Sequence, residues 1–258
     1  MVNHVRVRAA IRAASLHLGL SVLLALAAAA VVLGVWFPYP FRVLSGGQHL
    51  FWVMVSVDVV CGPLLTAVLV NPAKSRRTLT LDLSLVALVQ LAALVYGLYS
   101  VSLARPVVLA FETDRLVVVS AAEINSSDLP QAPAEFQALS WRGPVLLGTR
   151  LPKDGDEALE SLDISLQGVQ PSARPGWWQS YEKSRPAVRQ RMKKLVKLRA
   201  KLSPSKQPVV DEAAQKTGLS LDQLFYLPLV SRKQLDTWIV LLDAQGTVKG
   251  YAPIDGFD

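Results

Sequence analysis

Asp58 is the residue in this sequence best placed to do chemistry. It stands within the apolar run Leu50–Val70, about eight residues, or roughly 12 Å, below the outer end of that run. An ionised carboxylate in such surroundings is costly, so it must face protein, face water or stay protonated. Gln90 lies within a second apolar run, 79–103, at nearly the same depth if the two runs cross antiparallel. Three roles are open to Asp58. It can bond internally to Gln90 or to a backbone group. It can meet a polar group on a partner's transmembrane helix. It can act in proton or ion transport, although a relay wants ionisable groups in series, and Asp82 and His17 read as interfacial. Gly62-Pro63 follows four residues on. Pro63 lacks a backbone donor and predicts a kink, with a carbonyl near Val59 left needing a partner. A kink beside a carboxylate makes a shaped notch in the outer leaflet.

Outside the notch, reactive residues are sparse. His4, His17 and His49 all precede or lie within the apolar part, and residues 104–258 contain neither His nor Cys. Ser-His and Cys-His chemistry and the usual zinc sites are therefore excluded there. Cys61 reads as an inert buried thiol. No glycine-rich phosphate loop or paired metal-ligand motif is found. Carboxylates alone can support glycoside chemistry, but no pair stands out. The expectation is a protein without catalytic residues, metal or cofactor, and not an enzyme.

The notch needs a bundle to hold it. Three apolar stretches, about 16–37, 50–70 and 79–103, are each long enough to cross a bilayer, and residues 1–103 read as a three-transmembrane-helix domain. A signal peptide competes for the first stretch, since Arg6, Arg8 and Arg12 precede it and Ala27–Ala30 mimic a cleavage site. The apolar run continues through Val31, Val32 and Leu33, which favours an uncleaved anchor. Small residues at four-residue spacing (Ser21, Ala25 and Ala29; Ala93 and Gly97) suit close helix contact. Residues 1–103 carry seven Lys/Arg and two Asp/Glu, against twenty and eighteen in the remainder. Arg6, Arg8 and Arg12, with Lys74, Arg76 and Arg77, place the N-terminus and the second connection in the cytoplasm. Three crossings then export residues 104–258. A basic excess concentrated at membrane flanks argues against nucleic-acid binding.

The exported part reads as a small α+β domain with antiparallel hairpins and amphipathic helices. Val107–Glu112 and Leu116–Ser120 predict a hairpin around Thr113-Asp114-Arg115, and Val145–Leu151 a further strand. Residues 123–136 read as a loop, and 152–176 resist assignment. Ser184 through Leu202 predicts one helix, with Arg189, Lys193 and Lys197 on a basic face that is simply solvated or touches anionic lipid or an acidic partner. Residues 209–217 and 221–227 predict two short helices, the first ended by Gly218 and the second capped by Ser220 with Gln223. Trp238–Asp243 and Thr247–Tyr251 predict a last hairpin.

Several stretches together resemble one family: Val57–Thr66 (VDVVCGPLLT), Asn71-Pro72, Leu88–Gly97 (LVQLAALVYG), Phe111–Ser120 (FETDRLVVVS) and Tyr226–Leu229 (YLPL). The chain resembles the type IV pilin accessory proteins of the TfpX/TfpZ kind. The resemblance implies an inner-membrane protein with a periplasmic domain that acts in pilus biogenesis with a particular major pilin, and with no catalytic residues. Asp58, Gly62, Pro63, Asp114 and Arg115 fall in matching motifs and become candidate partner contacts, with Gln90 beside them. The implied partners are a major type IV pilin, inner-membrane lipids and other pilus assembly proteins. Two other functions stay open: a small transport or signalling subunit using Asp58, and a membrane-tethered pilin-modifying transferase.

Overall fold

The computed structural model describes residues 4–257, with the Leu50 side chain left aside; residues 1–3 and 258, at the outer limits of the two expected domains, lie outside the described residues. The chain forms two compact units: Met1–Phe37 with Gly46–Leu103, and Pro38–Ser45 with Ala104–Asp258.

Three long helices make the first unit: α1 (His4–Val31), continued by a π-helical turn over Val32–Trp36, then α3 (Gly47–Leu69) and α4 (Arg76–Leu103). All three are long and apolar enough to cross a membrane. The shortest, 23 residues, reaches about 35 Å against a hydrocarbon core of about 30 Å. Their ends are chemically marked. The Asn71 side chain accepts from the Ala73 N–H at 3.1 Å in a turn that Pro72 cannot extend as helix. Lys74 Nζ donates to the Leu69 carbonyl at 3.3 Å and pairs with Asp82 at 2.6 Å, a cation placed at the negative end of α3. His17 is not interfacial only, as expected: its Nδ1 lies 2.6 Å from Thr66 Oγ1, tying α1 to α3. Nor is Cys61 buried by protein. It is exposed on α3, because three helices alone cover little of each other's surface.

The second unit is a mixed sheet with helices, in the strand order β4-β3-β1-β2-β6-β7-β8, with β4 (Trp178–Ser180) at one edge. It begins with the short helix α2 (Phe41–Leu44), which lies between the first two spans in sequence. β1 (Pro106–Glu112) and β2 (Arg115–Ser120) form the expected hairpin, with Glu112 opposite Arg115 and Thr113 at φ 58° in the turn. β3 (Val145–Thr149) runs parallel to β1, and β2 runs parallel to β6 (Phe225–Ser231), so the sheet is not built of antiparallel hairpins alone. β7 (Gln234–Leu242) and β8 (Val248–Ala252) complete the last hairpin.

Both faces of this sheet are covered. Leu109, Phe111, Leu116, Leu229, Val240 and Leu242 point to one face, and alternate residues such as Val108, Ala110 and Val119 point to the other. β1 is therefore buried along nearly its whole length. Phe41 and Leu44 belong to the first of these clusters. Phe41 meets Tyr251 edge-on at 5.7 Å, and Ser231 Oγ donates to the Leu44 carbonyl at 2.9 Å. Residues 38–45, which join two spans in sequence, are thus part of this core.

Two local expectations are corrected, and one unassigned stretch gains a helix. One helix over 184–202 is instead α6 (Tyr181–Arg191), the two-residue strand β5 (Lys193–Lys194) and α7 (Leu195–Lys201). Met192 turns extended so that Lys193 and Lys194 can pair with Tyr226 and Phe225. Residues 221–227 do not form a helix. The Ser220–Gln223 bonds form, but they close a single turn before Phe225 enters β6. Residues 152–176 contain α5 (Gly155–Leu166), whose Asp154 cap accepts the Glu157 N–H at 2.8 Å. α8 (Gln207–Thr217) ends as expected at Gly218, in the left-handed conformation with φ 73°.

Candidate functional site

α3 starts at Gly47, three residues before its apolar run, so Asp58 lies deeper than its sequence position suggests. It is about eleven residues, or roughly 16 Å, from either end of the helix. Gln90 sits likewise near the middle of α4, and the two positions meet. Gln90 Nε2 donates to the main-chain carbonyl of Asp58 at 3.2 Å. The helix runs on through Pro63, which cannot supply the N–H that Val59 would otherwise accept.

Gly62 makes this meeting possible. A Cβ on Gly62 would run into the amide of Gln90. One turn of α3 thus lacks a side chain where α4 brings a polar group, and the next residue lacks a backbone donor. Gly62, Pro63, Asp58 and Gln90 form one local arrangement.

The Asp58 carboxylate itself is half-buried, and among the described residues no hydrogen bond or ion pair holds it. It opens on a groove of 220 Å³ within the helical unit. The walls are chiefly apolar, from Leu20 and Leu24 of α1 to Leu91 and Leu94 of α4, with His17, Ser21, Asp58 and Gln90 as the polar lining. This is smaller than the ~300–1,000 Å³ usual for small-molecule sites. It has room for side chains of a docked helix, and its apolar walls offer nothing to a hydrated ion.

The other candidate residues do not share this site. Asp114 and Arg115 pair with each other at 2.7 Å on the β1–β2 turn, and the Arg115 guanidinium stands 4.9 Å from the Phe257 ring centroid. Arg115 borders a separate cleft of 710 Å³ in the second unit, which Glu112 and Ser172 also line. There the Glu112 carboxylate accepts the Ser172 N–H at 2.7 Å. Arg189, Lys193 and Lys197 are exposed, but they lie on α6, β5 and α7 rather than on one helix face.

The second unit also holds a stack that sequence reasoning missed. The guanidinium groups of Arg150 and Arg174 both stand over the Trp177 ring, at 4.5 and 4.7 Å from its centroid. Glu157 accepts both terminal nitrogens of Arg150, at 2.9 and 2.6 Å. The Arg150 bonds, helped by the Lys153 backbone N–H, hold the Glu157 carboxyl down at about 2. Burial pushes the hydroxyl of Tyr181, which donates to the Gly246 carbonyl at 2.7 Å, up to about 12. Among the described residues, no group of three or more His, Cys, Asp or Glu side chains is arranged to hold a metal ion.

Comparison with known proteins agrees in kind. The family model described as fimbrial assembly protein FimB matches residues 5–46. The fimbrial assembly protein of serogroup E1 from Dichelobacter nodosus is 35% identical over 257 residues, covering 100% of both chains. The serogroup I protein of the same organism is equally similar, 35% over 257 residues and the full length of both. The protein of serogroups C1 and C2 is 38% identical over 131 residues, 51% of this chain and 100% of that relative. No solved structure matches.

Proposed function

This chain belongs to the fimbrial assembly protein family, and we propose that it is a type IV pilus accessory protein of the TfpX/TfpZ kind that captures the major fimbrial subunit in the inner membrane. The subunit's transmembrane helix docks in the groove at Asp58, and the protein modulates assembly of the fimbria without catalysing a reaction on it. The single observation that carries this reading is a midspan carboxylate without a partner among the described residues, facing an apolar groove between helices. Polar groups at such depth are costly and are kept where they meet something.

The reading includes an orientation. Arg6, Arg8 and Arg12, with Lys74, Arg76 and Arg77, mark the cytoplasmic side, and residues 104–258 stand in the periplasm. The packing of Phe41 and Leu44 into the sheet domain supports the three crossings, whichever their direction. That packing needs residues 38–45 and 104–258 on one side, as three crossings provide. Asp114 and Arg115 are placed to contact the subunit's exported part, and Arg189, Lys193 and Lys197 to contact lipid headgroups or an acidic partner.

The test is Asp58→Leu in the native host. It should remove co-purification of the major subunit and strongly reduce surface fimbriae, with the protein still present in membranes at its normal level. Normal fimbriation with normal subunit capture would refute the proposal.

A further inference from the structure

The polar atoms of the groove specify more than its position. Gln90 Nε2 donates to a main-chain carbonyl, which can only accept, so the orientation of the Gln90 amide is settled. Its Oε1 is then an acceptor, and it is buried without a hydrogen-bond partner. Both carboxylate oxygens of Asp58 add acceptors that no described residue satisfies. His17 engages Thr66 through Nδ1. The groove therefore presents an unpartnered carboxylate at midspan, with the buried Gln90 Oε1 behind it against Gly62, in a medium without water to satisfy them.

We propose that the groove recognises a cation: a protonated amine or a guanidinium, carried at midspan by the apolar transmembrane helix of a partner. This rests on the reading of the groove as the capture site and adds the chemistry of what is captured. Such a group offers donors only, and its charge complements the carboxylate. Leu20, Leu24, Leu91 and Leu94 would pack against the apolar remainder of the same helix. A second copy of this chain cannot be the occupant in this way, since no Lys or Arg lies within 16–37, 50–70 or 79–103. A lipid headgroup cannot reach Asp58, roughly 16 Å from either end of α3, without leaving its own depth.

The full chain in phosphatidylcholine nanodiscs can be titrated with synthetic Leu-Ala helices of roughly 20 residues. Each carries Leu, Gln, Glu, Lys or Arg at its centre, and association is read by energy transfer. The Lys and Arg helices should bind roughly 3- to 30-fold tighter than the Leu helix. Asp58→Asn, which keeps the shape and removes the charge, should abolish that preference. Ala25→Leu, which fills the groove from its wall, should weaken Lys-helix binding with Asp58 intact. Equal binding of Gln and Lys helices, tightest binding of the Glu helix, or an unchanged preference in Asp58→Asn would each overturn the inference. Loss of cation preference with native subunit capture undiminished would sink this inference alone. Cation preference intact, with no subunit ever captured, would sink the capture reading instead.

Discussion

The two units of this molecule differ in where they leave polar groups open. In the sheet domain, polar side chains at structural joints are bonded within the domain: Glu112 to Ser172, Trp178 Nε1 to the Ser172 carbonyl, Tyr181 to Gly246, Arg150 to Glu157. In the helical unit, where an unpaired polar atom is costlier, Asp58 has no partner among the described residues and Gln90 is half satisfied. The sheet domain also leaves single buried atoms open, Arg42 Nε, Ser172 Oγ, Arg174 Nε and Arg185 Nε, but none of them lies in a span. A unit that leaves acceptors open at midspan is arranged for something outside itself. This contrast is why the functional reading rests on the membrane part and not on the larger cleft beside Glu112.

The contrast can be broken most forcefully at the scaffold. Phe41 is buried among Leu109, Trp238 and Tyr251, although it belongs to the connection between two spans. Phe41→Ala should destabilise the sheet domain by about 3–5 kcal/mol, the range for a large aromatic removed from a core. Thermal unfolding of the full chain in detergent, followed by near-ultraviolet circular dichroism, would read it. An unchanged transition would mean that the connection is not part of the core, and one support for the three crossings would fall with it.

A smaller effect sharpens the same comparison. Glu157 is held at about 2 against an ordinary 4.5, so the folded state binds its proton less readily than the unfolded chain. Stability from the Arg150 pair is then present above about 4.5 and lost as pH falls toward 2. Glu157→Gln should lower the melting temperature slightly at neutral pH, and the gap to the parent should close between pH 5 and 2. A gap independent of pH would show that the pair contributes nothing through its charge.

How much of this was legible in the residues depended on the range of the interactions. The three spans announced themselves by length and hydropathy, and the β1–β2 hairpin by β-rich runs around a polar turn. α8 showed its stop at Gly218. The break at Met192 was hidden because its cause is distant: Lys193 and Lys194 leave the helix to pair with β6. The capping pattern at Ser220 was real, but it was local. Strand pairing of Phe225 through Ser231 with β7 outweighed it. α5 did carry a signal that went unused, Asp154 followed by Glu157 ahead of Ala158-Leu159. α2 had none, since four residues are too few to show a period. At the site, the shared depth of Asp58 and Gln90 was readable by counting. That Gln90 would bond the main chain and leave the carboxylate open was not, because it depends on Gly62 admitting α4 so closely.

The central claim is that a fimbrial subunit's helix lies in the groove at Asp58. A photoreactive amino acid at Leu94, inside the groove, tests it against the same probe at Tyr96, exposed on α4 and outside the groove lining. In native membranes the Leu94 position should yield an adduct with the major subunit and the Tyr96 position little or none, and Asp58→Asn should erase the first. Equal adducts from both positions, or none from either in cells that assemble fimbriae, would contradict it.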